Sequence, residues 1–109
     1  MELLHICKKT DWLQAQGQYL AASLASEGFI HCSRPEQIES VANRYYAGQS
    51  GLVLLHIDSD RLDAIVKWEA ADGEEFPHIY GPISLEAITA VEDLFPGEAG
   101  QFTYPGDPD

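Results

Sequence analysis

From Glu2 to Cys7 the apolar residues occupy both parities of an extended chain, with Leu3, His5 and Cys7 on one face and Leu4 and Ile6 on the other, which predicts a first strand. Thr10 or Asp11 then caps a short helix whose apolar side is Trp12, Leu13 and Ala15, and Gly17 is placed to end it. Tyr19 to Glu27 is less regular, and its expected core contacts are Leu20 and Leu24. After a turn at Glu27-Gly28, the run from Phe29 to Cys32 predicts a second strand that stops at Ser33-Arg34-Pro35-Glu36. That tetrapeptide has the form of a capping box. The Ser33 hydroxyl accepts from the Glu36 amide, because Pro35 has no N–H, and the Glu36 carboxylate reaches back to the Ser33 amide. Ile38, Val41, Ala42 and Tyr45 follow at helical spacing, so a helix is expected to about Ala47, with Gly48 as terminator.

Leu52 to Ile57 is an apolar run broken only by His56, the pattern of a strand buried on both faces. Two later stretches, Leu62 to Glu69 and Leu85 to Glu92, share the pattern Leu-acid-Ala-Ile-x-x-x-Glu, and each reads as a tight turn entering a strand. Between them, Ala70 to Glu75 is an acidic loop, and Phe76 to Tyr80 is a further strand ended by Gly81-Pro82. In the Gly-, Pro- and Asp-rich end of the chain only Phe102 and Tyr104 are candidates to dock. These elements predict one α+β domain over residues 1–95 and a loosely held acidic tail over 96–109.

Charge narrows the functional classes. Eighteen acids against six bases give a net charge of -12, and no Lys or Arg follows Lys67, so the surface repels a nucleic acid duplex. A phosphorylated small molecule would have to rely on Arg34, Arg44 or backbone N–H groups. No apolar run is long enough for a membrane span, and Met1 to His5 lacks the basic and apolar regions of a signal peptide, so a cytoplasmic protein with no membrane partner is expected. Cys7 and Cys32 lie in predicted strands without Cys-x-x-Cys spacing and read as buried thiols.

The candidate chemistry sits on two strands. Alternation puts His31 and Ser33 on one face, about 6.6 Å apart, and it puts His78 and Tyr80 on one face in the same way. A buried imidazole without a partner costs about 1 to 3 kcal/mol, so each histidine needs a partner or a cleft. Glu69 shares a strand face with Ile65 and Lys67, and it reads either as an exposed strand-end acid or as a carboxylate facing His31 or His78. Trp68 is expected in the core. The four histidines and two cysteines have no ligand spacing diagnostic of a metal site, and no metal is expected. If the motifs share a cleft, His31, Ser33, Glu69 and His78 should approach one another.

Gly28-Phe29-Ile30-His31-Cys32-Ser33, Lys67-Trp68-Glu69 and Phe76-Pro77-His78-Ile79-Tyr80, in this order, resemble the bacterial domain-of-unknown-function family 952 from Leu3 to about Leu94. That family is similar in fold to the ADP-ribosyltransferases. The resemblance therefore implies a split, mixed β-sheet with short helices around a cleft for a nucleotide or for nicotinamide dinucleotide (NAD). It implies that His5 holds a ribose, although the Gly-Thr that often follows is absent here, and that His31 and Ser33 match a His-x-Ser/Thr arrangement. On one reading the chain is an enzyme, with His31, Glu69 and His78 catalytic and His5, Ser33, Arg34 and Tyr80 binding the ligand, Arg34 at a pyrophosphate. On the other, the same cleft binds a nucleotide-like small molecule without turnover.

Overall fold

The computed structural model describes residues 1–103. Its centre is β4 (Leu52–Asp58), flanked antiparallel by β1 (Glu2–Lys8) and by β8 (Ile88–Leu94). The apolar run of β4 is buried on both faces, and the faces belong to different cores. Val53, Leu55 and Ile57 join Leu3 and Cys7 against a second three-stranded sheet, while Leu52 and Leu54 join Leu4, Ile6 and Leu94 beneath a helix. That second sheet is β3 (Ile30–His31), β6 (Glu74–Tyr80) and β5 (Ile65–Ala71) in spatial order, with Ile30, Cys32 and Ile79 facing the first core. A two-stranded ribbon of β2 (Gln18–Tyr19) and β7 (Ile83–Ser84) closes that core with Tyr19 and Ile83.

The helices are α1 (Lys9–Leu13), α2 (Ala22–Glu27) and α3 (Ile38–Tyr45). Ile38 and Ala42 of α3 cover the second core, together with Phe102, whose backbone N–H and C=O are both bonded to the Asn43 side chain. The chain after residue 95 is thus tied down as far as Phe102, and Tyr104 lies outside the described residues.

The α+β class holds, with several antiparallel sheets and short helices, but the expected mixed sheet does not: every strand pairing among the described residues is antiparallel. The capping box is displaced by one residue. Gln37, not Glu36, reaches back, its Oε1 accepting from the Arg34 amide at 2.9 Å, and a 3-10 turn at Pro35–Gln37 precedes α3. Ser33 is drawn away from the cap because its N–H and C=O both bond to Leu4, at 2.8 Å each. The stretch Ala70 to Glu75 is no loop. Asp72 and Gly73 both have positive φ, 52° and 82°, the two-residue turn that matches strand twist, so β5 and β6 run up to it from either side. Trp68 is not in the core, being 38% exposed. Thr10 and Asp11 lie inside α1, which has no side-chain cap, and α3 ends at Tyr45 rather than near Ala47. The two similar Leu-acid-Ala-Ile stretches enter a strand at the same place, Ile65 or Ile88, but their turns differ, since a 3-10 turn forms at Leu85–Ala87 inside the second stretch and at Ser59–Arg61 ahead of the first.

Pro77 sits in the middle strand of its sheet, where a missing donor would ordinarily break a ladder. Its carbonyl accepts from the Cys32 N–H at 3.1 Å, so the side on which it lacks a donor faces the end of the short β3 and not β5.

Two measurements follow from this packing. A Cβ at Gly81 would lie 2.9 Å from the Ala64 Cβ, so Gly81→Ala should destabilise the fold by about 1 to 3 kcal/mol in urea unfolding, and Ala64→Gly in the same chain should recover part of that loss. At the sheet end, His56 is bonded to both Glu2 and Glu92; burial disfavours the charged ring, but the two carboxylates outweigh it and raise the pKa. A raised folded-state pKa means that the contribution is complete below about pH 6.5 and is lost as pH rises past the folded value. Thermal unfolding of the parent should therefore weaken over that rise relative to His56→Gln.

Candidate functional site

The β3–β6 register sets His31 directly opposite His78, with ring centroids 5.3 Å apart. Phe29, on the same parity, stacks on His78 at 4.2 Å and also meets His31 and Tyr80. In β5, Lys67 pairs with His78 and Glu69 with Phe76, so both project on this face, opposite the core. One Glu69 oxygen accepts from the Tyr80 hydroxyl at 2.6 Å and from His78 Nδ1–H at 2.7 Å, and these bonds hold the carboxyl below its usual range while the Tyr80 phenol is raised. His31 Nε2 donates to Glu27 at 3.1 Å. Each imidazole is thus oriented by a carboxylate through one nitrogen: Nδ1 in His78 and Nε2 in His31. The other nitrogens have no partner among the described residues.

A cavity of about 660 Å³ opens beside this pair. Its walls are β1 from Leu4 to Lys8, the Ile38, Val41 and Tyr45 side of α3, and the tip of the β5–β6 hairpin. The hairpin is latched to α3 there, because Asp72 accepts from the Tyr45 hydroxyl at 2.6 Å and pairs with Arg44 at 3.1 Å. Of the expected site residues, His5, His31, Ser33 and His78 line the cavity. Glu69 and Tyr80 stand behind His78 and do not line it, so Glu69 can act on a ligand only through that ring. Arg34 is elsewhere, with its guanidinium 5.9 Å from the Trp68 ring on the opposite face from Glu69. The cations that do line the cavity are Lys8 and Arg44.

Between β1 and β3 the sheets join at one point and then part. Leu4 and Ser33 exchange both backbone bonds, and alternation turns the N–H and C=O of Ile6 toward the same side, away from β4. Neither Ile6 group has a partner among the described residues, and Ile6 lines the cavity. The residue that would oppose it is His31. Its carbonyl is taken instead by His5 Nδ1–H at 2.6 Å, while His5 Nε2 accepts from the Tyr19 hydroxyl at 3.1 Å. Both His5 nitrogens are therefore used inside the protein, which leaves none for a ribose. Burial lowers the His5 pKa to about 4 and raises the Cys7 thiol to about 11 and Cys32 further, so neither thiol is a nucleophile near neutral pH. No group of three or more metal-ligating side chains is assembled among the described residues.

Fold and site together define a small α+β domain with a split antiparallel sheet and a histidine-lined cleft. The family model for proteins of unknown function DUF952 matches residues 6–91, and the chain belongs to that family. It is similar to protein CC0527 from Caulobacter crescentus. The crystal structure shares 33% identity, covers 94% of each chain and gives a TM-score of 0.85. The solution structure of CC0527 gives 34% identity over 92% of this chain and 90% of that one, with a TM-score of 0.78. No curated protein matches. No helix among the described residues is long and apolar enough to cross a membrane.

Sequence reasoning missed the Ile6 backbone, Lys8 and the Asp72 latch. The first depends on which strand fails to pair, and single-chain periodicity carries no such signal; the latch was signalled by Asp72-Gly73. A pH test follows for His5. With a folded pKa of about 4 against an unfolded value of about 6.5, its neutral ring contributes fully above pH 6.5. That contribution is lost as pH falls through about 4, by at most about 3 kcal/mol. NMR titration should find the ring neutral down to that pH, and urea unfolding should show the acid slope in the parent and not in His5→Asn.

Proposed function

We propose that the cleft binds nicotinamide dinucleotide or a closely related nucleotide and that the domain acts on its glycosidic bond in the manner of an ADP-ribosyltransferase-like enzyme. The observation that carries this reading is the free edge of β1. A buried donor and acceptor on one residue, Ile6, face a cavity, and a planar primary carboxamide satisfies both at once. Lys8, which has no ion pair among the described residues, supplies positive charge for a pyrophosphate in place of Arg34, and Ser33 offers a hydroxyl nearby, whereas Arg44 is already paired with Asp72. As the bond from ribose to nicotinamide breaks, the electron pair leaves with the nicotinamide ring and positive charge develops on the ribose carbon. Water or an acceptor hydroxyl then adds there and gives its proton to the unbonded nitrogen of His31 or His78. Glu69 keeps His78 in the tautomer that leaves Nε2 basic, with Tyr80 fixing the carboxylate. One observation favours a second reading, binding without turnover: the Glu69 carboxylate is engaged by His78 and Tyr80 outside the cavity lining.

Nicotinamide dinucleotide titrated into the protein, with nicotinamide release followed in parallel, tests both. Binding is expected in the parent, and His31→Ala should weaken it by about 1 to 3 kcal/mol while the thermal midpoint stays close to that of the parent. Release that falls in Glu69→Gln with affinity unchanged identifies the enzyme; binding with no release in any form identifies the module. No binding to the parent would sink the proposal.

A further inference from the structure

Resting on that reading of the cleft, we infer that His5 is a positioning residue, a side-chain wedge that keeps β3 from zipping onto β1 and so creates the open edge that the ligand uses. Counting two residues along each strand from the Leu4–Ser33 pair gives Ile6 opposite His31. Antiparallel pairing would continue there by default, since Ile6 presents a free N–H and His31 a carbonyl aimed at β1. The imidazole intercepts that carbonyl. Its Nδ1–H donates to the His31 C=O at 2.6 Å, and the bond fits only one tautomer, which is fixed from behind because Nε2 accepts from Tyr19. Tyr19 is anchored in turn by the β2–β7 ribbon, where it pairs with Ile83.

Three consequences come from this one contact. The His31 backbone is held although β3 is only two residues long, so its ring stays opposite His78. The Ile6 N–H is left for a ligand. The His31 amide, facing the same gap, is also without a partner among the described residues. His5 never touches the ligand in this arrangement, and it acts through the placement of His31 and Ile6.

The test is made on the isotope-labelled parent protein without ligand. A scalar coupling across the hydrogen bond is expected between the His31 carbonyl carbon and His5 Nδ1, and none to the Ile6 amide nitrogen. Ile6 N–H should exchange with water about tenfold or more faster than Leu4 N–H, which is bonded to Ser33. In His5→Leu, which removes the donor, Ile6 exchange should slow toward the Leu4 rate as the strands close. In His5→Asn, whose side-chain amide places an N–H near the Nδ1 position, Ile6 should stay fast. Coupling of the His31 carbonyl to the Ile6 amide in the parent overturns the wedge even if a variant does not fold. So does an Ile6 rate in the parent as slow as that of Leu4. Nicotinamide dinucleotide is then added to each form. Loss of binding in His5→Leu with retention in His5→Asn supports the wedge and the nucleotide reading together. The expected coupling and exchange with no binding to the parent support the wedge and sink only the nucleotide reading.

Discussion

The pair of backbone hydrogen bonds between Leu4 and Ser33 is the suture on which this molecule depends. On one side of it lies the β1–β4–β8 sheet, whose central strand is apolar on both faces; on the other lies β3–β6–β5, which turns one face to the core and the other to the histidine cluster. A continuous sheet through β1 and β3 would take up the Ile6 N–H and C=O on the cavity side, and two unconnected sheets would leave β3 without its tie to β1. A single pair of bonds does neither. It fixes the register of β3 against β1, and one step further along the strands diverge around an imidazole.

Much of the site was legible because it obeys strand parity. His31 and Ser33, and His78 and Tyr80, were read two apart on strands, and the resemblance to the family was carried by the stretches that hold them. Periodicity could not say which strands are neighbours. That His31 faces His78, and that Glu69 reaches His78 and Tyr80 rather than the cavity, comes from the order of strands in the second sheet. The two-residue strands β2 and β7 are too short to have a period at all. Ser33 was misread as a cap for a related reason: the local pattern fits, but a partner 29 positions away in the chain, Leu4, takes its backbone groups. Strand alternation turns Trp68 away from Glu69 and toward the core side, but β5 is an edge strand, and there the ring stays partly exposed with Arg34 lying across it.

The acid surplus has a local counterpart. Of the six Lys and Arg residues, Lys9, Arg44 and Arg61 form ion pairs with aspartates, whereas Lys8 has none among the described residues and lines the cavity. Among the described residues Arg34 and Lys67 form no ion pair either, but of the three only Lys8 lines the cavity, where the charge of Arg44 is already met by Asp72.

The strand order also bears on how the chain comes into being. β1 waits for β4, β3 for β6 and β2 for β7, so apart from the single Leu4–Ser33 bridge the three strands in the first 51 residues have no ladder partner until the second half of the chain has been made. During synthesis the N-terminal half therefore leaves the ribosome with Leu3, Cys7, Ile30 and Cys32 uncovered, and the distant pairings that bury them form late. The cleft, bounded by strands from both halves, is among the last features to take shape. A nascent chain stalled near Gly51 would hold every histidine except His56 and His78 and yet have no site.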